Sequence, residues 1–342
     1  MLGLIEITPW HWAGFVVCVL VFLALDLGVF HRQAHVVKFK EALAWSLLWF
    51  TLSMGFAAAL VPLRGENEAL EFVTGYIIEL SLSMDNVFVI ALIFTYFRVP
   101  SQYQHRVLFW GILGALIMRG VMIAAGAALI SKFMWTLYFF GAFLVFTGVK
   151  MLFVDDEGVD PERNWFLRLA RKFFPIATEF HGQKFAIRQA GKFTLTPMAL
   201  VLVVVETTDL VFAVDSIPAI FAVTQKPFIV FTSNVFAILG LRSLYFVLAG
   251  AIDYFRYLKV GLSIVLVFIG AKMLLDPHDH PEKWFQVESP SSVSLLVVAA
   301  ILATSIALSI TAGKREKKVR TDTERTEQDK AAKENKKPAK GG

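Results

Sequence analysis

The chain of 342 residues is 56% hydrophobic and 14% aromatic, and only 18% of it is charged. A soluble domain carries about 25% charged residues, so these figures and a mean hydropathy of +0.62 exclude an ordinary soluble enzyme. The net charge of +5 gives no warrant for nucleic-acid binding, because from Lys314 onward there are eleven Lys/Arg and six Asp/Glu while the rest of the chain is neutral.

A helix needs about 20 apolar residues to cross a bilayer. By that measure the sequence predicts nine spans, near residues 10–30, 41–62, 73–97, 107–130, 134–153, 195–223, 228–250, 253–275 and 293–312. The expected fold class is an all-α polytopic membrane protein. The first residues, MLGLIEITPW, have no basic n-region and no A-x-A-like site follows, so Trp10–Phe30 reads as a retained span. Cys18 is the only cysteine and sits in an apolar run, which leaves no disulfide framework and no thiolate metal site.

Loop charge sets the expected orientation. Residues 31–40, 98–106, 154–193 and 251–259 carry fourteen Lys/Arg, whereas the alternate loops offer Arg64, Lys132, Lys226 and Lys283. The richer side is cytoplasmic by the positive-inside rule, which puts the N-terminus outside and the C-terminus inside. Within the central loop, Pro161–Pro175 reads as an interfacial helix, with Trp165, Phe166, Leu169 and Phe173 on its apolar face and Arg168, Arg171 and Lys172 on its basic one. Gly182 and Gly191 suggest turns after it.

An internal repeat organises the middle of the chain. Glu79-Leu-Ser-Leu-Ser-Met-Asp85-Asn86 parallels Asp209-Leu-Val-Phe-Ala-Val-Asp215-Ser216, Arg119 matches Arg242, and Gly148-Val-Lys150 matches Gly270-Ala-Lys272. The offsets drift little, so these are two copies of a three-helix unit. A unit of three spans ends opposite its start, which inverts the second copy, an architecture typical of alternating-access transporters. The expected organisation is two N-terminal helices (1–72), a first repeat (73–153), a cytoplasmic loop (154–193), an inverted second repeat (194–276), an extracytoplasmic loop with the last helix (277–313), and a disordered basic tail (314–342).

Spans 73–97 and 195–223 hold five carboxylates, Glu79, Asp85, Glu206, Asp209 and Asp215, against Arg119 and Arg242 as deep bases. A charge at the bilayer centre costs roughly 3 kcal/mol on insertion scales. Surplus acids must hold protons, face water or bind cations, which predicts a site that exchanges metal for protons. Oxygen ligands suit Mn²⁺, Mg²⁺ or Ca²⁺, and Met84 adds one soft atom that hints at a transition metal. Glu206 and Asp209 share a helix face, but Asp209 and Asp215, six apart, converge only if the helix breaks; Pro218 is the expected break. Arg119 and Arg242 are read as ion-pair partners, with a gating role as the alternative. Asp26, the turn Asp276-Pro-His278-Asp279-His280 and the run Asp155-Asp156-Glu157 read as solvated polar groups, and Trp45 and Trp49 as packing. No phosphate loop, nucleophile elbow or zinc-protease motif is present, and the chain is read as a non-enzyme without a permanent cofactor.

ELSLSMDNVFV (79–89) and VETTDLVFAVDSIPAIFAV (205–223) resemble the two signature motifs of the TerC family, bacterial integral membrane proteins that include Alx-type manganese exporters; LDLGVF (25–30) is a lesser match. The resemblance implies a LysE-related fold in the inner membrane and a manganese site made of Glu79, Asp85, Asn86, Glu206, Asp209, Asp215 and Ser216. Its partners would be Mn²⁺ and the bilayer, with oligomeric state left open. Two functions follow as expectations: export of Mn²⁺ coupled to an ion gradient, or a membrane scaffold that metallates exported enzymes or anchors a stress-resistance complex.

Overall fold

The computed structural model describes residues 6–25, 39–153, 165–189, 191–248, 258–276, 290–309 and 311–312. The tail 314–342, Asp26, Asp155, Asp156, Glu157, His278, Asp279 and His280 lie outside the described residues. The rest is a helical bundle: α1 (Pro9–Leu25), α2 (Phe39–Arg64), α3 (Glu66–Tyr96), α4 (Ser101–Lys132), α5 (Trp135–Phe153), α6 (Trp165–Phe173), α7 (Pro197–Phe221), α8 (Pro227–Leu248), α9 (Leu258–Leu275) and α10 (Ser291–Ser309). Among the described residues, α2, α3, α4, α5, α7, α8 and α10 are long and apolar enough to cross a membrane, seven helices against the nine spans expected; α1 is shorter, at 17 residues. With 31 residues, α3 is about 45 Å long and overshoots a 30 Å hydrocarbon core at both ends.

Helix ends follow local chemistry. α2 and α3 are separated by Gly65 alone, whose φ of 98° lies in the left-handed region that favours glycine. α7 begins on Pro197, where a missing N–H costs nothing. Pro218 does not break α7, which runs on to Phe221. The proline's missing N–H leaves the Val214 carbonyl without its helical partner, yet the helix continues through that position.

The central loop holds a helix within the stretch where the sequence predicts one, shortened to α6, and a two-stranded hairpin that the sequence did not announce. β1 (Ala186–Gln189) pairs antiparallel with β2 (Lys192–Leu195), and Gly191 takes a φ of 78° beside the turn. Leu167 of α6 is wholly buried in the same apolar cluster as Met198 and Leu200 of α7 and Leu241 and Tyr245 of α8. On the neighbouring α4, Arg106 donates to Gln183 at 2.8 Å and lies over the Phe185 ring. The loop therefore covers one end of the bundle, marked by Tyr96, Ser101, Pro197 and Leu248. The far end packs Trp12 and Phe15 of α1 on Phe228 and Phe231 of α8. Lys226, in the α7–α8 turn, reaches Glu68 and Glu71 of α3 there, and Arg64 forks onto Glu68.

The principal contacts between helices follow an exchange of α3, α4 and α5 with α7, α8 and α9, whereas smaller ones such as α4–α5, α7–α8 and α7–α9 have no counterpart of similar extent. The pairing α3–α8 has its counterpart in α4–α7, α5–α7 has one in α3–α9, and α5 packs directly on α9. The α5–α9 seam shows the same exchange at atomic detail. A Cβ on Gly148 would lie 2.8 Å from the Ser263 carbonyl, and one on Gly270 would lie 2.7 Å from the Gly141 carbonyl. Two related three-helix units meeting about a shared axis would produce this pattern.

Because backbone rather than a mobile side chain fills these spaces, Gly270→Val is expected to cost about 1–3 kcal/mol through overpacking. Gly55→Ala, where nothing lies within 4 Å, should leave stability unchanged or slightly raised. Thermal unfolding in detergent reads both; equal melting temperatures for Gly270→Val and the parent would refute the close seam.

Candidate functional site

Four helices meet at a buried ion cluster. Arg119 extends from the middle of α4 and is only 2% exposed, so its charge must be met by protein. Its Nε and Nη2 fork onto Asp209 of α7, at 3.2 Å to Oδ2 and 2.9 Å to Oδ1. Its Nη1 donates to Glu79 of α3, in close contact, to Asn234 Oδ1 of α8 at 3.1 Å and to Ser216 Oγ of α7 at 3.4 Å. Asn234 closes the ring by donating from Nδ2 to Glu79 Oε2 at 3.2 Å, and Asn86 of α3 donates to Asp209 Oδ1 at 3.5 Å. Such charge-assisted, forked bonds are the strongest hydrogen bonds available to side chains.

Of the seven candidate ligands, Glu79, Asn86, Asp209 and Ser216 therefore converge, and they do so around a guanidinium. The other three take no part in the hydrogen bonds to Arg119, although Glu206 stays within electrostatic reach of Asp209. Because α7 is continuous, Asp215 points away from Asp209, hydrogen-bonds Thr147 and lies within electrostatic reach of Lys150 on α5. Glu206 faces α4 like Asp209, but its carboxyl fills the space that the missing side chain of Gly114 leaves open, and its Oε2 is buried with no hydrogen-bond partner. Asp85 is half-buried on α3. Among the described residues no three His, Cys, Asp or Glu side chains stand together in a group able to hold a metal ion. The acids are gathered, but an arginine stands among them.

Beside Asp209, on the side toward the covered end, lies a cavity of about 20 Å³ bordered by Ile90, Leu108, Gly111, Ile112, Ala115, Val205, Leu241 and Arg242. It is just large enough for one water or a small ion. Arg242 is thus a buried wall residue next to the cluster. The member of the cluster that the sequence did not single out is Asn234, a polar residue fully buried in an apolar span. The cost argument that singled out the acids applies to an amide too, at lower magnitude.

A multi-pass helical bundle with a buried ion-paired cluster at its centre defines a polytopic integral membrane protein. The model of the "Integral membrane protein TerC family" matches residues 64–317, and the chain belongs to that family. It is 52% identical to the Uncharacterized membrane protein STKORF319 of Myxococcus xanthus over 89% of this chain and 92% of that protein. It is 49% identical to Alx of Escherichia coli K12, named as a proposed membrane-bound redox modulator, over 86% of this chain and 92% of that protein. No solved structure matches.

Asn234→Leu removes a donor to Glu79 and an acceptor for Arg119 together. It is expected to destabilise the detergent-solubilised protein by about 1–3 kcal/mol, whereas Asn234→Gln should recover part of that loss. A leucine variant that melts with the parent would show that the amide is not part of the cluster.

Proposed function

We propose that the chain is a secondary transporter that exports Mn²⁺ from the cytoplasm across a bacterial inner membrane, with its N-terminus outside and its C-terminus inside. The observation that carries this is the gathering of Glu79, Asp209, Asn86 and Ser216, from two sequence-related helices, at the centre of a membrane-spanning bundle. Acids in that position are expensive and are retained for ion traffic far more often than for packing. Their oxygens match a hard divalent cation, and Mn²⁺ is the member of that group favoured by the family resemblance. No nucleotide-binding motif is present, so a proton or ion gradient supplies the work, and the exchange pattern of the helices supports two inverted units rocking about the site.

The redox name of the relatives fits a metal route better than a thiol route here. With Cys18 as its single cysteine, the chain has no intrachain dithiol couple. A redox effect would run through the ion that is moved.

Purified protein in liposomes with an imposed pH gradient should carry Mn²⁺. Asp209→Asn should lower that flux at least about tenfold, because it removes one of the two carboxylates of the cluster. Absence of flux from folded, Mn²⁺-binding protein would overturn transport and favour the scaffold that metallates exported enzymes.

A further inference from the structure

We propose that Arg119 is a tethered substitute for the cargo: its guanidinium takes the Glu79–Asp209 oxygens whenever the metal is absent and must leave them when the metal binds. This deepens the transporter reading and rests on it.

The geometry gives the reason. Arg119 directs Nε, Nη1 and Nη2 at one shell made of Asp209, Glu79, Ser216 and Asn234, and two carboxylates belong to that shell. A divalent ion bonds oxygens at about 2.0–2.6 Å from every ligand it uses. The guanidinium nitrogens hold the same oxygens at hydrogen-bond distances such as 2.9 and 3.2 Å, so the two cations cannot occupy the shell together. Charge points the same way. Two carboxylates balance one divalent ion, whereas the guanidinium leaves one net negative charge when it fills the site and forces surplus positive charge into it when the metal is also there. Burial raises the stakes, since Glu79 is 0% and Arg119 2% exposed and a bare charge in this medium is costly.

The consequence is kinetic. A carrier must return without metal to complete net transport, and a return in which neither a proton nor a cation neutralises the two carboxylates at the bilayer centre would be slow. Arg119 supplies the counter-charge for that return from within the chain. Loaded carriers have no need of it. Arg119 is therefore a positioning residue that sets two things, the affinity for metal and the rate of the empty return.

The test compares wild type, Arg119→Gln and Arg119→Lys in three measurements: Mn²⁺ affinity by thermal stabilisation in detergent, net Mn²⁺ uptake into empty liposomes, and exchange of labelled Mn²⁺ into liposomes loaded with unlabelled Mn²⁺. Arg119→Gln should bind Mn²⁺ about tenfold or more tightly, lose net uptake by a similar factor and keep exchange near wild type. Arg119→Lys should keep most net uptake and bind more tightly than wild type, because a single ammonium holds two carboxylates less firmly than a forked guanidinium. If Arg119→Gln does not fold, the affinity of the Lys variant decides: tighter than wild type supports the substitution, equal or weaker overturns it. Net uptake and exchange that fall in parallel, or an unchanged affinity in folded Arg119→Gln, overturn it as well. A wild type that neither binds nor moves Mn²⁺ instead sinks the transporter reading itself.

Discussion

The neutralisation of two carboxylates in a medium that cannot solvate them constrains the rest of this molecule. Glu79 and Asp209 come from different helices, so each must be brought to a cation and held there, and the cation must itself be sheltered from lipid. Arg119 meets this from α4 and Asn234 completes it from α8. Four helices are thereby fixed at a single depth and rotation. The enclosure of α8 follows: a helix that presents Asn234 and Arg242 inward, with Thr232 and Ser233 returning their hydroxyls to their own backbone, has no face to spare for lipid. Helices outside the cluster carry no such obligation and show apolar side chains such as Phe146 of α5 and Leu296 of α10 outward.

The position of Arg119 also bears on symmetry. Glu79 and Asp209 occupy equivalent places in the two motifs, and one guanidinium holds both. A group bonded to two equivalent residues stands where an axis relating the copies would pass, and only one side chain fits there. Arg242, at the place equivalent to Arg119, borders the adjacent cavity instead. The backbone packing keeps the exchange pattern, down to the paired glycine contacts of α5 and α9, while the side chains at the centre depart from it.

Much of this was legible in the sequence because the relevant costs are large. Long apolar runs declare helices in lipid, and an acid within them stands out for the same reason; both motifs and both arginines could be found that way. What could not be read is which partners meet. Periodicity places Asp209 and Asp215 on different faces of a straight helix, and a proline beyond them suggested a break that would reunite them. Pro218 sits too close to the end of α7 for that, so Asp215 turns to Thr147 and Lys150 and the acids divide into separate environments. Asn234 escaped notice because an amide costs less to bury than a charge. The hairpin at 186–195 escaped because its strands are four residues long and their pattern is weak against the surrounding polar loop.

The two ends of the bundle differ in what would have to move for the central cluster to meet solvent. At the far end Trp12 and Phe15 pack edge-on against Phe228 and Phe231, and Lys226 ties the α7–α8 turn to Glu68 and Glu71 at the start of α3. Opening there separates the aromatic rings of α1 and α8 and the ion pairs between α3 and the α7–α8 turn, so α1 must shift as well. At the covered end the only space beside Asp209 among the cavities described is the one of about 20 Å³, with the α6 and hairpin segment packed beyond it. The two barriers differ in kind. Exposed ion pairs contribute little individually and yield to salt, whereas an apolar cluster yields only when its buried area is lost. A guanidinium that neutralises the acids while both barriers stay shut keeps this closed arrangement affordable, and its displacement by a doubly charged ion would be the event that makes one of them give way.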